Sequence, residues 1–460
     1  MAESEPKLDE KTQRSLKFST IEGAFYNAMA GFTDYYINPF AIALGLGNST
    51  IGFVRSLPPL LTALAQPLGL HISAFFKTRK QFVMAAVILQ AAMLLVLASI
   101  PYLFKQNAEL LLMMVFSLQS LLGPLANPIW ASWMADLVPE KIRGRYFGNR
   151  NMVGGIATVV SIMVGGGLLN LFGQDVFLGF AVLFTFASIF RLLSFASFTK
   201  IDEPPQKFRE ERINIGGFLR DIRHNDYGVF LLYYSILMFA TGIAGFYFSV
   251  YMIRDLQLSY TQFAIIEGFF AVSMLLSNKY WGRIIDQFGN KLVLSVCGLL
   301  VPFIPLLWMN TRSPYFLLMF ETFSGFAWGG LNLAVFNYTI NYGSLKNKTA
   351  QYTANFNFFQ GLFVFLGAFA GAFIVESGSF LAYSGIPLVM LISGVLRLLG
   401  GLAFLPFIKE HKDVQRYQGN ALWNFAFFMP ARRVGFFAHE VFTFTESRAK
   451  KAVKRIKYRI

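Results

Sequence analysis

Apolar residues run along this chain in long blocks, each closed by a few polar positions, from Thr20 to Ile408. A helix needs about 20 apolar residues to cross the hydrocarbon layer. Blocks of that size fall at 20–45, 51–76, 81–104, 110–138, 147–173 and 176–199, and again at 227–253, 259–281, 291–311, 314–342, 353–377 and 381–407. The pattern predicts an all-α membrane protein of about twelve transmembrane helices in two six-helix bundles, 20–199 and 227–408. The one long polar interruption, 200–226, carries Asp202-Glu203-Pro204-Pro205 and then Arg209, Arg212, Arg220 and Arg223, and reads as a linker between bundles. A polar segment, 1–19, precedes the first block, and a tail, 409–460, follows the last.

Basic residues concentrate in alternate loops: Lys77, Arg79 and Lys80; Lys141, Arg143, Arg145 and Arg150; the linker arginines; Arg283 and Lys291; Lys346 and Lys348. The intervening loops, around Gly47, Lys105, Gln174, Arg254, Arg312 and Ser377, hold at most one base each. Short loops rich in Lys and Arg stay on the cytoplasmic side. The expectation is therefore a multi-pass protein of the cell membrane with both termini cytoplasmic.

The two halves resemble one another, and internal duplication is the mark of many transporter folds. A shift of 206 residues lays Tyr146, Asn149, Asn151 and Gly155 on Tyr352, Asn355, Asn357 and Gly361, and Arg191 on Arg397. A shift of 212 lays Ser49 on Thr261, Arg55 on Glu267 and Arg79 on Lys291. The halves run in the same direction and are pseudo-symmetric.

Composition narrows the function classes. With 55% hydrophobic residues, 14% charged residues and a mean hydropathy of +0.50, the chain is too apolar for a water-soluble domain of its length. The net charge of +15 is scattered between apolar blocks and in the tail, which fits a membrane surface and not nucleic acid. A single cysteine, Cys297, builds no disulfide, and four scattered histidines without HExxH predict no protein-held metal. No phosphate loop or nucleophile-and-base motif occurs, so neither an enzyme nor a cofactor is expected. Residues 1–17 lack the apolar core and cleavage site of a secretory signal.

After the eighth block stands Gly282-Arg283-Ile284-Ile285-Asp286-Gln287-Phe288-Gly289-Asn290-Lys291. It resembles the GxxxDxxGxK loop signature of the major facilitator superfamily (MFS). The first-half equivalent, His71 to Lys80, keeps Arg79 and Lys80 but has Ala74 in place of the acid and Lys77 in place of the second glycine. Asp136-Leu137-Val138-Pro139-Glu140-Lys141-Ile142-Arg143-Gly144-Arg145 is similar to the family's PxxxRG loop. The resemblance covers Thr20 to Ile408 and implies two six-helix bundles, a solute site near the bilayer midplane and rocking that exposes it to each side in turn. It also implies that Gly282, Arg283, Asp286, Gly289, Lys291, Asp136, Arg143 and Gly144 belong to cytoplasmic gating loops.

Ionisable groups within the blocks are costly in lipid and need a partner, a wet cavity or a function. Asp34, Arg55, Glu267 and Glu321 stand out, and the internal repeat sets Arg55 opposite Glu267 in kind. A carboxylate held away from bulk water can load and release a proton, which makes Asp34 and then Glu267 the coupling candidates. The alternative for Asp34 is a structural carboxylate bonded to Asn27, Asn38 or a tyrosine. Asn149, Asn151, Asn355, Asn357 and Gln360 both donate and accept hydrogen bonds, which suits a neutral polar solute or the joining of helices. Arg191 and Arg397 read as snorkelling cations or carbonyl ligands at the cytoplasmic edge. Gly367 and Gly371, and the glycines at 165–167, read as close packing across the bundle interface.

The tail, with twelve Lys and Arg against four Asp and Glu and many phenylalanines, reads as a segment lying on anionic lipids. The expected function is secondary active transport of a small organic solute, proton-coupled, by a monomer. The alternative is a transporter-like solute sensor that moves nothing.

Overall fold

The computed structural model describes residues 9–73, 75–205, 222, 225–346, 348–380 and 383–411. The basic tail beyond 411 and the linker arginines 209, 212, 220 and 223 lie outside the described residues.

The described residues make twelve membrane crossings, six in each half. The first half contains Glu10–Thr33 with Ile37–Ala43, Asn48–Ser73, Arg79–Leu103, Ala108–Leu137, Glu140–Leu171 and Val176–Thr199. The second contains Asp226–Gly245 with Tyr247–Val250 and a π-turn to Asp255, then Tyr260–Phe288, Asn290–Leu300 with Phe303–Trp308, Pro314–Leu345, Thr349–Ser377 and Gly385–Phe404. Nine of these, among the described residues, are apolar enough to be recognised as membrane spans by composition alone. The first, second and tenth crossings are long enough but more polar, and they carry Glu22 and Asp34, Arg55, and Glu321.

Helix ends are set by local chemistry. Asp9 accepts from the Thr12 amide at 3.3 Å, which starts the first helix ten residues before its apolar block. Thr78, Asp175, Asn225 and Ser259 cap the third, sixth, seventh and eighth crossings in the same manner. Gly289, the final glycine of the loop motif, has φ +85° and alone separates the helix ending at Phe288 from the one starting at Asn290. That left-handed turn needs glycine, and a side chain there would also strike the Glu410 carboxylate.

The alternating helices give the molecule two faces. One, the basic face, carries the chain start, the loop motifs and Lys409; the other carries Asn48, Arg254 and Arg312. On the basic face the repeat is physical. Glu203 accepts from the Arg79 and Lys80 amides at 3.0 and 3.1 Å, and Glu410 accepts from the Lys291 amide at 2.8 Å. Each carboxylate thus sits on the N-terminus of an equivalent helix, the third and the ninth crossing, where the macrodipole favours an anion. Arg79 also pairs with Asp136 at 2.7 Å, joining the two first-half loops, and Arg143 donates to the Ala135 carbonyl at 2.9 Å.

The halves meet along two equivalent seams, the second crossing on the eleventh and the fifth on the eighth. Small residues allow the approach. Gly361 faces Pro59 and Ala63, Gly155 faces Leu275, and Gly166 faces Ala264. Gly367 and Gly371 instead pack on the backbone of Phe239 and Ile243, so they join the eleventh crossing to the seventh within the second half and not across the interface.

Candidate functional site

Two crossings break at equivalent places. The first helix ends at Thr33 and resumes at Ile37; the seventh ends at Gly245 and resumes at Tyr247. The caps of the first segments, Asp34 and Phe246, are 212 residues apart, the spacing of the internal repeat. A broken helix frees carbonyls that attract cations. Arg55 answers this demand: its Nη1 donates to the Asp34 carbonyl at 3.1 Å, and its guanidinium lies 5.4 Å from the Phe246 ring and 5.7 Å from Phe116.

The side chains of Asp34 and Glu267 both lie within electrostatic reach of Arg55. Arg55 and Glu267, symmetry mates in the sequence, therefore feel each other's charge across the interface. Neither Asn27 nor Asn38 holds the Asp34 carboxylate. Asn27 donates to the Gly23 carbonyl at 2.7 Å, and Asn38 crosses to the second half, donating to Ser249 Oγ at 2.6 Å and the Phe246 carbonyl at 3.1 Å.

Those Asn38 bonds belong to a seal on the face away from the basic loops. Arg254 donates to Asn48 Oδ1 at 2.5 Å and to the Leu46 carbonyl at 2.6 Å, and Ser49 donates to the Ala372 carbonyl at 3.2 Å. The Tyr36 hydroxyl donates to the Ile162 carbonyl while its ring meets Phe263 edge-on at 5.9 Å.

Between this seal and the basic face lies a cavity of about 710 Å³, walled by both halves. Tyr26, Asn127, Trp130 and Arg191 line it from the first half, and Asn357 and Gln360 from the second. Its charged wall is a network centred on Glu22, which is 3% exposed. Glu22 accepts from Arg150 at 2.8 Å and from Ser194 at 3.0 Å, and lies 3.8 Å from Arg191. Arg191 is held further by Gln90 Oε1, at 2.9 Å from Nε, and Arg150 stacks 4.5 Å over Trp130. Arg191 therefore does not snorkel: Glu22, Gln90 and Ser194 retain it inside, 5% exposed.

The remaining residues expected at a site are dispersed. Asn357 and Gln360 reach the large cavity. Asn355 is buried and donates to the Gln351 carbonyl of its own helix at 2.8 Å, whereas Asn149 and Asn151, on either side of Arg150 in the fifth crossing, are both exposed. Glu267 and Glu321 line a separate cavity of about 200 Å³ with Arg397 and Trp328. Asp286 lines a third, of about 370 Å³, on the basic face beside Asn337 and His411. Glu22 and Arg150 escape the sequence reading because each stands at the edge of its apolar block, although the helices themselves begin well before those blocks, at Glu10 and Glu140. Among the described residues no cluster of His, Cys, Asp and Glu is arranged to hold a metal.

Comparison with known proteins agrees with this architecture. The chain is similar in structure to the nucleoside transporter NupG (TM-score 0.64, 13% identity, 87% of this chain and 99% of that one). It is also similar to the xylose transporter XylE from E. coli (TM-score 0.64, 13% identity, 88% and 100%). A bacterial homolog of the human lysosomal transporter Spinster superposes with a TM-score of 0.63 at 13% identity, over 88% and 100% of the chains. No curated protein matches in sequence. The sequence model of the Major Facilitator Superfamily matches residues 23–368 and again 229–445, so this chain belongs to that superfamily.

Proposed function

We propose that the protein is a secondary active transporter that moves a small, neutral, polar organic solute across the cell membrane by alternating access, coupled to protons. The observation that carries this reading is the large cavity walled by amides and aromatic rings from both halves, lined by Asn127 and Trp130 from one and Asn357 and Gln360 from the other, with a hydrogen-bonded seal on the side away from the basic loops. Rocking about the two glycine-lined seams would open the seal and close the basic face. With both termini cytoplasmic, the present state faces the cytoplasm.

Proton coupling is assigned to Asp34 and Glu267, which share the one Arg55. Two carboxylates competing for a single guanidinium cannot both be neutralised by it, and a proton on one completes the balance. The similar structures carry names of nucleoside and xylose transporters, which makes ring-bearing polyhydroxylated solutes the first class to test.

The test is uptake of a panel of nucleosides, pentoses and amino acids into proteoliposomes, with and without an inward-acid pH gradient. Accumulation that needs the gradient and is lost in Asp34→Asn, with expression intact, supports the assignment. Gradient-driven uptake unchanged in Asp34→Asn removes that residue from coupling, and saturable binding without flux of any solute would identify a sensor.

A further inference from the structure

The smaller cavity of the second half, apart from the proposed transport cavity, contains an electrostatic mismatch. Arg397 occupies the place of Arg191 under the internal repeat and is more deeply buried, at 2% exposure. Where Arg191 is met by Glu22, Gln90 and Ser194, Arg397 has among the described residues only the Trp328 ring, 5.9 Å away, and its Nε has no acceptor. The residue that matches Glu22 under the 212-residue shift is Tyr234, so the second half holds no counter-ion at the position where the first half has one.

On the wall of the same cavity stands Glu321, 8% exposed. The charged group that bears on it is Glu267, and among the described residues no cation pairs with it. Glu267 by contrast has Arg55. Among the described residues, this one cavity thus holds a buried cation without an anion and a buried anion without a cation, and the two do not form an ion pair with each other. Leaving either one unanswered is unfavourable.

We propose that this cavity binds a small zwitterion, with its carboxylate on the Arg397 guanidinium and its ammonium on Glu321. A guanidinium offers paired donors to a carboxylate, and a carboxylate accepts the short hydrogen bonds of an ammonium. A simple anion would satisfy Arg397 but add a third negative charge beside Glu267 and Glu321. A simple cation would satisfy Glu321 and leave Arg397 bare. At about 200 Å³ the space is below the range of drug-sized pockets, so the solute has few heavy atoms.

The test is calorimetric titration of the full chain in lipid nanodiscs with glycine, β-alanine, 4-aminobutyrate and 5-aminovalerate, against propionate and propylamine. One member of the amino-acid series, set by the distance between the two charges, is expected to bind at least tenfold tighter than both singly charged compounds. Arg397→Gln and Glu321→Gln should each reduce it to their level, with Arg397→Lys retaining part of the affinity. If a variant does not fold, the wild-type comparison of zwitterion with propionate and propylamine decides. Equal binding of all three types, no saturable binding of any zwitterion, or zwitterion binding indifferent to Arg397→Gln in folded protein would overturn the proposal. No gradient or flux enters the measurement, so its outcome is independent of whether the large cavity transports.

Discussion

Removing a buried charge should cost stability beside Arg191, which has a counter-ion, and little or none at its repeat mate Arg397, which has none among the described residues. Glu22→Gln removes the carboxylate that serves both Arg150, at 2.8 Å, and Arg191, at 3.8 Å. Deleting one partner of a buried ion pair costs about 3–5 kcal/mol, because the other charge is left uncompensated. Here the glutamine oxygen can still accept one hydrogen bond, Arg191 keeps Gln90, and the network borders a cavity that admits water, so the low end applies, about 3 kcal/mol. For a domain the size of one half, at about 2–4 °C per kcal/mol, that is a fall in Tm of about 6–12 °C. Arg397→Gln takes away a buried charge that has no counter-ion among the described residues, so its Tm should stay within about 2 °C of the parent or rise. The assay is thermal unfolding of purified parent and variants in one detergent, followed by intrinsic fluorescence. A Glu22→Gln protein as stable as the parent, or an Arg397→Gln protein that loses as much as Glu22→Gln, would refute the reasoning.

Other perturbations test other contacts. Arg254→Ala removes two charge-assisted bonds across the seal, each of about 1.5–3 kcal/mol, and should raise labelling of a cysteine placed at Ser49 by a membrane-impermeant thiol reagent. The only native cysteine, Cys297, is fully buried, so background labelling should be low; unchanged labelling would mean that Arg254 does not hold the seal. Gly361→Val sets a branched side chain against the Pro59 carbonyl and Ala63, and should cut transport more than tenfold while the protein still folds; full transport would show that this seam need not stay close. Glu410→Gln weakens the cap on the ninth crossing, worth about 0.5–2 kcal/mol, and should speed amide exchange at Lys291 and the residues after it; exchange at the parent rate would mean that the carboxylate is not what holds that helix end.

The crossings are legible in the sequence because hydrocarbon thickness imposes a length on every apolar block. The repeat is legible because both halves retain paired residues such as Arg191 and Arg397. The loop signature at Gly282 to Lys291 is legible because its last glycine is required by a left-handed turn. The charged wall of the large cavity is hidden by where helices begin. The first helix starts at Glu10 and the fifth at Glu140, so Glu22 and Arg150, which read as edge and loop residues, lie about three turns inside. The interruption at Asp34 to Tyr36 has no proline or glycine within it to announce it, and it is held in place by Arg55 from another helix. A contact between distant helices of that kind has no local pattern in the chain. Asn149 and Asn151 show the converse: the repeat matches them to Asn355 and Asn357, yet they are exposed, whereas Asn357 lines the cavity.

The central claim is that the halves rock about a shared cavity. It is tested most directly by distances between spin labels on opposite faces, measured in nanodiscs with and without the solute found in the uptake panel. One pair replaces Lys77 and Lys346 on the basic face, and the other replaces Gln106 and Arg312 on the sealed face; all four are exposed. The account predicts that solute shortens the first distance and lengthens the second. Two distances that move together, or neither moving while the same preparation transports, would contradict it.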